Sequence, residues 1–186
     1  KQPGVVRFLE PGAYRMMYGV ARMSKNGTGI SGDNYTYSGS LPGQVIMSLS
    51  DGMGSGEAAD QESRKVIELL QQLLETGFSA RSALKMVNTI LMLTGTEQHP
   101  ATLDLCCVDL CSGVLEAMKM GAVATFVLSN GQAEILDAGN LPAGVLSQAE
   151  PALLSRKLWD NDQIIMITDG VLDACPGLDK EQSLKE

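Results

Sequence analysis

Basic residues, histidine and aromatics are scarce in this chain. Its 186 residues carry 14 Lys+Arg against 22 Asp+Glu, a formal net charge of −8. No local basic stripe offsets that balance, which argues against nucleic acid and against contact with an anionic membrane surface, because both select for clustered Lys and Arg. The longest apolar runs are short, such as Ile164 to Ile167. A spanning helix needs ~20 apolar residues, so none is expected. A signal-peptide layout is missing and the chain opens on Lys1 rather than Met, which reads as a fragment of something longer. The four cysteines, Cys106, Cys107, Cys111 and Cys175, form no CxxC pair, and three crowd one apolar segment. Reduced core thiols of a cytosolic protein fit that pattern. The one histidine, His99, falls in the turn Glu97-Gln98-His99-Pro100, so zinc is not expected.

With 44% apolar residues, a chain of this length can bury roughly two thirds of its unfolded surface, enough for a core without staples. No internal repeat, low-complexity tract or linker divides it, and residues 1–186 read as a single domain. Tyr14 to Met23, Asn34 to Ser38 and Gln44 to Ser50 read as strands punctuated by glycines 27, 29, 32, 39 and 43, an antiparallel meander. After Ser50 the period changes. Val66, Leu69, Leu70, Leu73 and Leu74 share one helical face, Gly77 closes that helix, and Ser79 opens a second that places Leu84, Val87 and Leu91 together before Gly95. These stripes predict packing against a sheet. Strands then return over Thr102–Cys111, Val114–Met120, Ala124–Leu128, Ala133–Leu136 and Gln163–Thr168, with Asn130-Gly131 as a hairpin turn. Asp104 and Asp109 point to opposite faces of their strand, and neither reads as a ligand. The order of strands, helix pair and strands predicts an α+β fold with helices on antiparallel sheets.

The chemistry concentrates in Gly32-Asp33-Asn34, Asp51-Gly52-Met53-Gly54-Ser55-Gly56 and Thr168-Asp169-Gly170. Each sets a carboxylate beside a residue that permits a sharp turn. Ile46 to Ser50 and Ile164 to Thr168 read as buried strands delivering Asp51 and Asp169 to a shared rim. Carboxylates buried without basic partners are costly, and a divalent cation relieves them. Oxygen donors without His or Cys select Mg²⁺ or Mn²⁺. The glycine run is not a P-loop, because Glu57-Ala58-Ala59-Asp60 follows it rather than Gly-Lys-[Ser/Thr]. Arg22 and Lys25, the basic residues nearest Asp33, read as solvated turn charges.

Together these motifs resemble the bacterial PPM family of metal-dependent Ser/Thr protein phosphatases, and within it the stage II sporulation protein E type of phosphatase domain. The resemblance covers nearly the whole chain in order and spacing. It implies an α-β-β-α sandwich of two antiparallel sheets flanked by helices, with two Mn²⁺ or Mg²⁺ ions at one rim. By that resemblance Asp51 bridges both ions, the Gly52 carbonyl ligates one, Asp33 serves the second and Asp169 the first. A metal-activated water then hydrolyses phosphoserine on a small regulatory protein, an anti-sigma-factor antagonist. The helix pair over about 57–94 is implied as a switch responding to a partner or a second copy, with Gly54 and Gly56 as its hinge, in a cytoplasmic domain of a membrane-anchored parent. One departure stands out: the family pattern continues to an Asp-Asp-x-Thr-like motif, yet only 17 residues follow Asp169, among them Asp173, Asp179, Glu181 and Glu186. That predicts a C-terminally truncated domain with a weakened first metal site and an unpaired sheet edge. Its rival is a catalytically incomplete interaction module of the same fold; a small-molecule phosphoesterase comes third.

Overall fold

A computed structural model describes residues 12–24, 30–39, 42–54, 56–94, 100–139 and 141–175. Sequence features at Lys25, Gly27, Gly29, Ser55, Gly95, His99, Asp179, Glu181 and Glu186 lie outside them. Strands β1 (Asp33–Ser38) and β2 (Gln44–Asp51) form an antiparallel hairpin whose register sets Asp33 opposite Asp51. Helices α1 (Glu57–Glu75) and α2 (Ala80–Thr94) follow. Gly77, at φ 96°, ends α1. Its N–H reaches the Leu74 carbonyl at 3.0 Å and that of Phe78 reaches Leu73 at 3.1 Å, a left-handed cap that satisfies the last carbonyls. Ser79 Oγ accepts the Ser82 N–H at 3.3 Å, starting α2.

Strands β3 (Leu103–Asp109) and β4 (Val114–Met120) add to β2, and β7 (Ala152–Lys157) completes a five-stranded sheet ordered β1-β2-β3-β4-β7. A second sheet, ordered β6-β5-β8, comprises β5 (Thr125–Ser129), β6 (Gln132–Leu136) and β8 (Gln163–Met166). Asn130 and Gly131 both take positive φ, 51° and 76°, the two-residue turn whose twist suits a hairpin. Helix α3 (Asp169–Ala174) closes the described chain.

Period-two alternation sorts the strand residues into layers. Leu103, Leu105, Met118 and Met120 meet Val66, Leu70 and Leu74 of α1 and Leu84 and Val87 of α2. On the opposite face of the same strands, Cys106, Val108, Leu115 and Ala117 meet Val127 and Leu136 of the second sheet. Beyond it, Phe126 packs with Ile167 and Leu172 of the α3 segment. The result is the expected helix-sheet-sheet-helix stack, each buried Leu or Phe contributing about 1.5–3 kcal/mol. Among the described residues no helix is long and apolar enough to cross a membrane.

Three expectations need correction. Tyr14 to Met23 is not a strand. After one backbone bond, Tyr14 N–H to the Leu110 carbonyl at 2.9 Å, the segment is held by side chains. Tyr18 stacks on Tyr37 with centroids 3.8 Å apart, and Arg22 reaches Ser31 and Asp60. β7 went unpredicted because Ala-Leu-Leu-Ser-Arg-Lys lacks a polar-apolar alternation, although its burial alternates. β8 is a half-exposed edge strand rather than a buried one, and it ends at Met166, so Thr168 caps α3 instead of extending the strand.

Candidate metal centre

Sheet register and turn geometry bring the three acids together. Asp33 opens β1 and Asp51 closes β2, so the hairpin pairs them on one face. Asp51 is pinned through its backbone: its N–H donates to Thr102 Oγ1 at 2.9 Å and its carbonyl accepts the Thr102 N–H at 3.0 Å. Asp169 is the first residue of α3, at the end of the second sheet. The rim therefore joins a neighbouring strand pair of the first sheet, which supplies Asp33 and Asp51, to the end of the second sheet, which supplies Asp169. Thr168 closes it, its Oγ1 donating to Asp33 Oδ2 at 3.3 Å, while Ser31 Oγ donates to the same oxygen at 2.8 Å.

The glycines at 32 and 52 are demanded by close approach. A Cβ on Gly52 would stand 2.2 Å from the Ala59 carbonyl oxygen, so only glycine lets the β2 end lie against the first turn of α1. A Cβ on Gly32 would stand 3.5 Å from Asp51 Oδ1 and 3.6 Å from the Gly52 carbonyl oxygen. The tight neighbour is Ala59 Cβ, 3.0 Å from that position, while both oxygens lie at ordinary contact distance. Gly54 (φ 101°) and Gly56 (φ 78°) carry the chain from there into α1, whose start has no side-chain cap, while Glu57 and Asp60 complement the helix dipole.

Electrostatics mark Asp51 as the strained member. Burial, then repulsion from Asp33 and Asp169, pushes its carboxyl from an ordinary 3.8 up to about 7, and hydrogen bonding with both neighbours adds to the shift. Among the described residues no three His, Cys, Asp or Glu side chains are gathered tightly enough to hold an ion as they stand. The donor chemistry nevertheless fits a hard divalent cation: three carboxylates and a backbone carbonyl, all oxygen, with no cation among the causes that shift Asp51. The site opens on a cavity of about 100 Å³, lined on its polar side by Asp51, Thr102, Asp104, Thr168 and Asp169.

One residue gains a partner that the sequence did not reveal, and another departs from its sequence reading. Asp104 is buried and paired: Lys119 Nζ donates to its Oδ2 at 2.6 Å, as does Thr125 Oγ1 at 2.6 Å. Register sets Asp104 directly opposite Lys119, a cross-strand pair visible only once β3 and β4 are aligned. Arg22 is no solvated turn charge; it bonds Asp60 Oδ1 at 2.9 Å and the Ser31 carbonyl at 2.6 Å. Asn34 joins that cluster, its amide donating to the Asp60 carbonyl, Asp60 Oδ1 and Ser63 Oγ at 3.0, 3.0 and 2.8 Å. Ser63 Oγ in turn donates to the Gly32 carbonyl at 2.5 Å, joining α1 to the loop beneath the site. Asp173 is exposed on α3.

The family profile described as Stage II sporulation protein E (SpoIIE) matches residues 42–186. Stage II sporulation protein E of Priestia megaterium is 34% identical over 161 residues, 87% of this chain and 28% of that protein. The Bacillus subtilis (strain 168) protein of the same description is 33% identical over 168 residues, 90% of this chain and 20% of its own. The chain thus spans between a fifth and three tenths of the length of these curated relatives. A solved structure of the PP2C phosphatase domain and a fragment of the regulatory domain of the cell fate determinant SpoIIE from Bacillus subtilis superposes with a TM-score of 0.82. It is 31% identical, with 89% of this chain and 48% of that one covered.

Proposed function

The chain belongs to the stage II sporulation protein E family, and from that premise we propose that it is a metal-dependent protein serine phosphatase domain. Its substrate is a phosphoserine on a small regulatory protein, an anti-sigma-factor antagonist. The observation that carries this reading is the meeting of Asp33, Asp51, Asp169 and the Gly52 carbonyl at one rim of a PP2C-like sandwich. Two Mn²⁺ or Mg²⁺ ions would be held there, Asp51 serving both, the Gly52 carbonyl one of them, Asp169 the first and Asp33 the second. Bound there, such ions supply a water acidic enough to ionise near neutral pH and charge to offset the phosphoryl oxygens.

The chain's own residues prepare that chemistry. Thr102 fixes the Asp51 backbone, and Ser31 and Thr168 hold Asp33 by one oxygen. Burial and repulsion from Asp33 and Asp169 raise the Asp51 carboxyl, and a cation held there would relieve that repulsion and keep it ionised. The two β3 cysteines are kept from the nucleophilic form: burial pushes Cys106 far up and Cys107 to about 12, away from the thiolate. The helix pair over 57–94 acts as a switch, because Gly54 and Gly56 hinge an uncapped α1 that touches Gly52 directly, and a second copy or a partner docking on it would move the site. Gly56→Pro should then change metal affinity.

The test is hydrolysis of a phosphoserine protein with Mn²⁺, with chelator, and by Asp51→Ala. Turnover that needs the ion and Asp51 supports the phosphatase. One observation favours the rival reading of an incomplete interaction module, namely that no three ligand side chains are closely gathered among the described residues. No Mn²⁺ binding by the chain would decide for it, whereas binding without turnover would mean a real site in an incomplete domain.

A further inference from the structure

One group behind the candidate centre is left incomplete by the fold. Asp104 is 1% exposed and its Oδ2 is saturated by Lys119 and Thr125, but its Oδ1 has no hydrogen-bond partner. Lys119 is 0% exposed and spends its other protons on the Val123 carbonyl and Thr125 Oγ1, at 2.7 and 2.8 Å. A buried acceptor left bare costs about 1–3 kcal/mol, more if charged, so such atoms are met by water or a ligand. Asp104 lines the same cavity as Asp51 and Asp169. At about 100 Å³ that cavity has room for more than one water, each taking about 30 Å³ in the liquid.

Register fixes where that oxygen stands. Asp104 lies opposite Leu49, and Asp51 is two residues further along β2, on the same face. Diagonal neighbours of this kind are separated by about 7–8 Å between backbones. Two short carboxylates facing across such a gap are joined by one water with hydrogen bonds of about 2.8 Å on either side. Pairing with Lys119 makes the arrangement tolerable, since a lone fourth carboxylate would add to the repulsion already bearing on Asp51. The paired one offers an acceptor with little net charge.

We propose that Asp104 is a positioning residue of the centre: through a cavity water on Oδ1 it orients the carboxylates of Asp51 and Asp169, while Lys119 neutralises it from behind. This rests on the reading of those acids as a cation site. Outer partners of this kind alter metal affinity by about 10–100-fold when removed. The buried pair should be replaced as a unit, because removing one partner strands the other's charge, whereas an apolar pair of similar volume is often tolerated.

The experiment is calorimetric titration of Mn²⁺ into the parent chain, Asp51→Ala, and the double variant Asp104→Leu with Lys119→Met, with thermal melting of each. The double variant is expected to melt within a few degrees of the parent and to bind Mn²⁺ about 10–100-fold more weakly. Affinity within twofold of the parent, with Asp51→Ala abolishing binding, overturns the positioning role and leaves the cation site standing. No Mn²⁺ binding by the parent overturns both. Should the double variant not fold, a high-resolution crystal structure of the metal-free parent decides. A water joining Asp104 Oδ1 to Asp51 or Asp169 supports the role, and its absence refutes it.

Discussion

If Asp51 is held against its electrostatic preference for the sake of binding a cation, removing its charge must stabilise the metal-free protein. The change is Asp51→Asn, which keeps shape. Its carboxyl rises from 3.8 unfolded to about 7 folded. At 1.36 kcal/mol per tenfold change in acidity, the ceiling is about 4 kcal/mol. Asp51 is only half-buried, so solvent screening reduces this to about 1–2 kcal/mol. Because the folded value lies above the unfolded one, the folded state binds the extra proton, and stability falls as pH rises from about 4 to about 7. Above pH 7 the penalty is complete; below pH 4 it vanishes. In chelator at pH 8, Asp51→Asn should therefore melt about 2–8 °C higher than the parent, at roughly 2–4 °C per kcal/mol for a chain of this size. The gap should close toward pH 4. Saturating Mn²⁺ should invert the order, since a ligand at a hundred times its dissociation constant stabilises by about 2.7 kcal/mol. A variant no more stable than the parent at pH 8, or a gap independent of pH, would refute the reasoning.

Other perturbations probe the junction of α1 with the site. Gly52→Ala sets a methyl 2.2 Å from the Ala59 carbonyl oxygen, and overpacking of this kind costs about 1–3 kcal/mol, read as a lower urea midpoint together with weaker Mn²⁺ binding. Asn34→Ala strips three hydrogen bonds from a buried cluster and should lose about 1–3 kcal/mol in the same assay. Arg64, Asn34 and Arg22, in that order, hold Asp60 down at about 2, below its ordinary 3.8. The stability it contributes is present above pH 4 and lost as pH falls toward 2, so parent and Asp60→Asn should differ at pH 6 and converge at pH 2 in acid-unfolding curves.

Much of this was legible in the sequence because it depends on local signals. The Leu stripe of α1, Gly77 beyond its end and Asn130-Gly131 between β5 and β6 each carry their geometry in a few adjacent residues. Asp33, Asp51 and Asp169 could be singled out from their glycine neighbours, but not the way they meet. That depends on a hairpin register pairing 33 with 51 and on a turn into α3 from the opposite sheet. The Asp104–Lys119 pair stayed hidden for a similar reason: it is a cross-strand contact, and in the linear chain the two residues are simply an acid and a base in separate apolar runs. Arg22 was misjudged because its partner Asp60 is 38 residues away. The extended segment from Tyr14 has the composition of a strand but is anchored by stacking and ion pairing, which leave no periodic trace.

The central claim is that Asp33, Asp51 and Asp169 form an oxygen-only site for divalent cations. It is tested most directly by titrating Mn²⁺ into the metal-free chain and into Asp51→Ala by calorimetry at pH 8. Saturable binding by the parent that disappears in Asp51→Ala is the predicted result. Equal binding by the two proteins, or none by the parent, would contradict it.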